Sequence, residues 1–265
     1  MEKKVTAVAF DYIQDETGMF PIVRSMSEIA GTSSILIAAE LLSTSAGGKG
    51  LLMGGIAGVS PIQIVIIGAG TVAEYAARSA MALVASVKVF DNSIARLRRI
   101  QNNLNSRVAT SILQPKVLEK ALRRADVAIG ALGTTAVRTP CVISDEMVQL
   151  MKPKSVIVDV SIDKGGCFET SEITNHEKPT FVKHDVIHYC VPNIASRSSK
   201  TASYSLSNVL APMLLEVGDG GGVQGMLLRS QNIRCGVYVY NGVITNKGIG
   251  SWFELPFKEI RLILG

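Results

Sequence analysis

An unbroken apolar run, Ile64-Val65-Ile66-Ile67, leads directly into Gly68-Ala69-Gly70-Thr71-Val72-Ala73. A helix-forming stretch continues from Glu74 to Val84, and a second apolar run, Val87-Lys88-Val89-Phe90, ends on Asp91. Buried strand, glycine turn, helix, second strand and terminal acid stand in the order a dinucleotide site needs. Gly68 permits the sharp turn, Gly70 lets the backbone approach a pyrophosphate, and Ala73 is small enough for the helix to lie on the strand. The helix N-terminus then offers unpaired N–H groups and a partial positive charge to phosphates. Asp91 stands where a carboxylate accepts the ribose hydroxyls and repels a 2′-phosphate, which favours NAD over NADP. The competing reading is an ordinary strand–turn–helix with a solvated aspartate at a strand end. Arg96, Arg98 and Arg99 lie close by. Arg96 is a further cofactor-binding candidate, and a solvated basic helix face is the reading set against it.

The chain of 265 residues is 47% hydrophobic and only 18% charged. Such a balance suits a sheet covered on both faces, whose strands read as continuous apolar runs. The net charge of +5 is spread along the chain without aromatic interleaving, so nucleic acid is not an expected partner. Cys141, Cys167, Cys190 and Cys235 form no C-x-x-C pair, and no signal peptide is evident. A reduced, cytoplasmic protein is expected. The most apolar long stretch, Leu51 to Ile67, contains Gly54, Gly55, Gly58 and Pro61, so it reads as loop plus strand and no membrane association is expected.

Strand and helix signals alternate along the chain. An opening strand is expected over Val5–Phe10, and a helix from Ser27, which serves as its N-cap, with Ile35, Ile37, Ala38 and Leu42 on its apolar positions. Strands are expected at 107–112, 127–129, 156–160 and 187–191, with helices at 115–124, 144–151 and 203–217. The pattern predicts an α/β fold, a doubly wound parallel sheet of Rossmann type. Its dinucleotide-binding domain spans 22–199, with an incomplete second domain formed by 1–21 and 200–265. Ligands of such sheets bind outside the carboxyl ends of the strands. The loops at 68–72, 91, 131–135, 161–166 and 192–196 are therefore the candidate site.

Several motifs stand together in one order: Met26-Ser27-Glu28-Ile29-Ala30-Gly31, Gly47-Gly48-Lys49-Gly50, Gly54-Gly55 with Gly58-Val59, Val158-Asp159-Val160-Ser161-Ile162-Asp163-Lys164-Gly165-Gly166, and His188-Tyr189-Cys190-Val191-Pro192-Asn193. In this order the chain resembles the alanine dehydrogenase family, which includes the transhydrogenase alpha subunit, from Val5 to about Glu216. The resemblance implies NAD-dependent oxidative deamination of L-alanine, a small amino-acid substrate, with hydride transfer to NAD. It implies that Ser27, Thr71 and Val72 contact the cofactor phosphates and that Asp91 holds the adenine ribose. Leu132 and Gly133 would lie beside the adenosine, and Ile162, Asp163, Asn193 and Ile194 near the nicotinamide. Asp163 matches the family's catalytic aspartate; read from the residues alone, a turn-capping role at a strand exit competes with it. A homo-oligomer is expected.

The departures bear on activity. The family carries a substrate-binding Arg, a substrate-binding Lys and the catalytic His in a segment N-terminal to the part matched here. His176, His184 and His188 match none of these, and His188, inside an apolar strand, is expected to be a packed, hydrogen-bonded core residue. Glu172 stands where an Arg near the cofactor is expected. Asp11 aligns with a metal-associated acid whose His partner falls at Gly220, so no metal is expected. Two further readings are therefore carried beside the dehydrogenase: an NAD-binding module without catalysis and, more weakly, a transhydrogenase-like protein.

Overall fold

The computed structural model describes residues 3–104, 106–133 and 138–264. The chain divides into two compact units, Ser27–Ser199 and Met1–Met26 with Lys200–Gly265. In chain order the first elements are β1 (Ala7–Val8), α1 (Pro21–Leu41), β2 (Gln63–Ile67), α2 (Thr71–Ala82), β3 (Ser86–Phe90), α3 (Ile94–Asn103), β4 (Ala109–Ser111) and α4 (Pro115–Leu122). They are followed by β5 (Val127–Gly130), α5 (Asp145–Gln149), β6 (Val156–Asp159), β7 (Thr180–Lys183) and β8 (Val186–Tyr189).

In the larger unit the described strands form one seven-stranded sheet in the order β4-β3-β2-β5-β6-β8-β7. All neighbours are parallel except β7, which runs antiparallel on the edge. This is a doubly wound, Rossmann-like α/β sheet. The chain winds outward from β2 through β3 and β4, then returns to β5 on the other side of β2. The carboxyl ends of β2 and β5 therefore flank the crevice where the winding reverses.

Strand β2 shows why both faces must be covered. Ile64 and Ile66 enter one apolar cluster, while Val65 and Ile67 enter another on the opposite face. The first cluster is closed by Ile35 and Ala38 of α1 and Leu42 just after it, by Ala73, Ala76, Ala77 and Ala80 of α2, and by Leu97 and Ile100 of α3. The second is closed by Leu118 and Leu122 of α4 and Val148 of α5. The four alanines of α2 are fully buried and let that helix lie directly on the sheet.

Helix α1, the opening strand and β7 differ from expectation. Helix α1 begins at Pro21, six residues before the expected cap, and Ser27 lies inside it. Proline suits a first helical position because its missing N–H needs no partner there, and Ser25 Oγ donates back to Pro21 O. The opening strand shortens to Ala7–Val8, with a 3-10 turn at Phe10–Tyr12. Strand β7 had no clear sequence signal. It forms a hairpin with β8 through His184 and Asp185, both at positive φ (53° and 59°), across the Lys183–Val186 pair. That is the backbone of a two-residue primed turn, made here without the Asn-Gly or Asp-Gly that would mark it.

The second unit contains β1 in a three-stranded sheet with β9 (Val237–Tyr240) and β10 (Val243–Ile244). Helix α6 (Ser199–Asp219) carries Pro212 in its interior, and α7 (Gly222–Arg229) follows. The unit has its own small core of Ile13, Met226, Leu227, Ile233 and Val237. Among the described residues no helix is long and apolar enough to cross a membrane.

His188 is fully buried in β8. Its Nδ1 faces Val186 O at 2.9 Å and its Nε2 faces Thr170 Oγ1 at 2.8 Å. The ring stacks on Phe181 with centroids 4.7 Å apart. Nδ1 therefore carries the proton, and Nε2 accepts from the threonine hydroxyl. Burial pushes its pKa down from 6.5 to about 4, and the nearby Lys183 and His184 push the same way, while the Val186 carbonyl and Asp145 oppose. An unfolded imidazole takes up its proton at the ordinary value, so the stabilisation is complete above pH 6.5 and fades as pH falls towards 4. Urea unfolding across that window should show His188 accounting for about 3 kcal/mol of the acid loss. His188→Gln should be less stable at neutral pH but have a correspondingly flatter profile; an unchanged slope would show that the ring does not titrate differently on folding.

Candidate cofactor site

The glycine turn sits between its two neighbouring strands. Gly68 has φ of +113°, and a Cβ built on it would stand 2.2 Å from Ala131 O, so only glycine can join β2 to α2 while touching the loop after β5. Ala69 N–H donates to Asp91 Oδ2 at 2.8 Å, which ties the turn to the end of β3. Gly70 caps α2 without a side-chain hydrogen bond, and a Cβ there would meet nothing within 4 Å. The first-turn N–H groups of a twelve-residue helix thus face space that a phosphate can enter.

That space is a cleft of about 130 Å³. Gly70, Thr71 and Val72 form one wall, Ala131, Leu132 and Gly133 another, and Ser27, Val160 and Ser161 complete it. Ser27 reaches it because of a glycine one helical turn further on. A Cβ on Gly31 would lie 2.3 Å from Val72 O and 2.9 Å from Ala76 N, so α1 crosses α2 at backbone contact. Residues four apart share a helix face, which brings Ser27 to the N-terminus of α2. Ser161 Oγ donates to Leu132 O at 3.3 Å and joins the loops after β5 and β6.

Asp91 is 4% exposed. Besides Ala69, it receives Ser93 N–H on Oδ1 at 2.7 Å, and Arg96 Nη1 lies 4.0 Å from Oδ2. A carboxylate has lone pairs for more than two donors, so ribose hydroxyls can still be accepted. Arg99, expected on a solvated face, is exposed and also donates from Nη2 to Ala69 O at 2.9 Å.

The loop after β6 is organised by Asp159, which is 1% exposed. Its Oδ1 accepts Ser161 N–H at 3.0 Å, and its Oδ2 accepts Cys167 N–H at 2.9 Å and Ser171 Oγ–H at 2.8 Å. Burial pushes its pKa up while these hydrogen bonds pull it down. Gly130 and Gly166 leave room for it: a Cβ on either would approach its carboxylate oxygens to 2.4 and 2.7 Å. Asp163, in the 3-10 turn that follows, is exposed and accepts Asn193 N–H on Oδ1 at 2.7 Å. Asn193 has φ of +51°, in the left-handed region, and opens the turn at Ile194–Ser198.

Residues 34–247 match the family described as alanine dehydrogenase/PNT, C-terminal domain. The chain belongs to the alanine dehydrogenase/PNT family. It is 37% identical over 259 residues to an alanine dehydrogenase of Mycolicibacterium smegmatis, covering 98% of this chain and 70% of that protein. It is 36% identical over 265 residues to an alanine dehydrogenase of Methanococcus maripaludis, covering 100% of this chain and 71% of that one. A solved L-alanine dehydrogenase superposes with a TM-score of 0.89 at 33% identity, covering 94% of this chain and 68% of that chain. A transhydrogenase from Sinorhizobium meliloti, at TM-score 0.74 and 18% identity over 92% of this chain and 67% of that chain, shares the fold.

Membership in the alanine dehydrogenase/PNT family and the sheet architecture indicate NAD as cofactor. The residues present fit it: a glycine cradle open at Gly70, an uncapped helix N-terminus and a buried carboxylate after β3. Of the residues expected to bind cofactor, Ser27, Gly70, Thr71, Val72, Leu132 and Gly133 line one cleft. Gly68, Asp91 and Arg96 support or flank the turn behind it. Asp163 and Asn193 are bonded to each other across two loops. Ile162 and Ile194 are each only 3% exposed, so their side chains pack inward and do not line the described cleft. The loop expected at 131–135 is described only to Gly133, and Thr134 and Thr135 lie outside the described residues. Among the described residues no three His, Cys, Asp or Glu are arranged to hold a metal ion.

Sequence reasoning did not single out Gly31 or Asp159, and it gave Arg99 no contact with the glycine turn. A glycine inside an otherwise good helix was the available signal for the first. Gly31→Ala should force α1 off the first turn of α2 and cost about 1–3 kcal/mol. Urea unfolding measures this, and a midpoint equal to wild type would show that the crossing has slack.

Proposed function

We propose that this chain carries the cofactor half of an NAD-dependent alanine dehydrogenase, acting in the oxidative deamination of L-alanine to pyruvate and ammonia and in its reverse. The observation that carries this reading is the cleft itself: glycine turn, helix N-terminus and Ser27 converge on one space beside the buried Asp91. NAD, when bound, supplies the hydride acceptor. Ser27, Gly68, Gly70, Thr71 and Val72 would hold the pyrophosphate, with Asp91 and Arg96 at the adenine ribose and Leu132 and Gly133 beside the adenosine. Asn193 would lie at the nicotinamide end, with the buried Ile162 and Ile194 fixing the loop backbones that face it. Asp163, exposed and anchored by one oxygen, would use the other to orient water or ammonia and take part in proton movement.

A second reading, an NAD-binding module without catalysis, draws on the composition of the cleft. None of its described lining residues is charged or carries an imidazole, so the lining contains no clamp for a substrate carboxylate. The dehydrogenase reading also places the chain in a reducing cytoplasm as a homo-oligomer. Four cysteines without a disulfide support the first point, and the exposed apolar side chains of Leu52, Ile56, Val59 and Val84 support the second.

Calorimetric titration of NADH, run beside NADH formation from L-alanine and NAD, tests these readings. Binding with turnover supports the dehydrogenase, binding without turnover supports the module, and no binding overturns both. Asp91→Ala should weaken NADH binding by about 1–3 kcal/mol, the range for removing a charged hydrogen-bond acceptor from buried donors. An unchanged affinity would remove Asp91 from the ribose site.

A further inference from the structure

The geometry points to Arg99 as a positioning residue for pyrophosphate binding, acting through the peptide between Ala69 and Gly70. This rests on the reading that the glycine turn receives the cofactor's phosphates. Ala69 is fully buried at the centre of the turn. Its N–H is held by Asp91 Oδ2 at 2.8 Å, and its carbonyl accepts from Arg99 Nη2 at 2.9 Å. Both peptide groups flanking Ala69 are thus fixed from outside the turn, one from the end of β3 and one from α3.

A peptide unit is planar, and in the trans form its N–H points opposite to its C=O. Holding Ala69 O towards α3 therefore aims Gly70 N–H away from α3. Gly70 itself lines the cleft and is free of neighbours within 4 Å of a would-be Cβ. A glycine has no side chain to resist rotation of that peptide, so the direction of the N–H has to be set from elsewhere. Arg99 lies one turn beyond Arg96 on α3, which puts both guanidiniums on the side facing the turn. Arg96 approaches the Asp91 carboxylate and Arg99 approaches the Ala69 carbonyl, so the two arginines have different tasks.

The test compares wild type with Arg99→Met and Arg99→Lys. NADH and ADP are titrated calorimetrically, and adenosine, which lacks phosphates, is followed by ligand-observed NMR. Arg99→Met should weaken NADH and ADP alike by roughly tenfold, the loss of one charge-assisted hydrogen bond. It should leave adenosine binding unchanged, and Arg99→Lys should recover part of the phosphate-dependent loss. Should the methionine variant fail to fold, Arg99→Gln carries the same expectation. Equal weakening of adenosine would assign Arg99 a general structural role and overturn the proposal, as would NADH affinity that the methionine variant leaves intact. Wild-type protein that binds neither NADH nor ADP would sink the cofactor reading and this proposal together.

Discussion

The hydrogen bond from the Ala69 amide to the buried Asp91 carboxylate is the contact on which the site depends. It joins the carboxyl end of β2 to that of β3 and fixes the turn before any ligand arrives. On its other side the same turn lies against the Ala131 carbonyl, at a distance only Gly68 allows. The turn is therefore held by both strands that neighbour β2. A rigid cradle keeps ordering entropy from being charged against each binding event, which is the general advantage of preorganisation.

The loop after β6 follows the same plan, with the buried Asp159 at its root and the exposed Asp163 in front. Asp159 holds the segment after β6 through two backbone amides and one hydroxyl, and Asp163 then reaches from that segment to the amide of Asn193. Three successive connections, after β5, β6 and β8, are thereby linked through Ser161 to Leu132 and Asp163 to Asn193. Displacing one of these loops would disturb its neighbour as well.

Much of this was legible in the sequence because the relevant signals are local. Ile64–Ile67 buries both faces, and a chain that buries both faces of a strand next to a glycine turn has few other folds open to it. The opposite holds for what was missed. Strand β7 sits on the edge, half buried, so its side chains carry little alternation, and its turn uses His184 and Asp185 where Asn-Gly would have announced it. The start of α1 was hidden because Ser27 has the chemistry of a cap while Pro21 has the better geometry for a first turn. Arg99 and Gly31 matter through contacts with residues thirty or more positions away, and no local pattern encodes those. The side chains of Ile162 and Ile194 are 3% exposed, so any part these residues play beside the cofactor falls to their backbone.

The crossing of α1 over α2 at Gly31 has a consequence for how such a site can be moved or copied. Residues 63–91 contain the whole strand–turn–helix–strand unit and Asp91, and would look like a portable nucleotide module. The wall that holds Ser27, however, arrives on a helix that precedes that unit in the chain and crosses α2 at Gly31 with no side chain between the backbones. A graft of the glycine turn alone would carry the floor of the cleft and leave its roof behind. Any transplant would have to bring α1 with it, together with the glycine that lets the two helices touch.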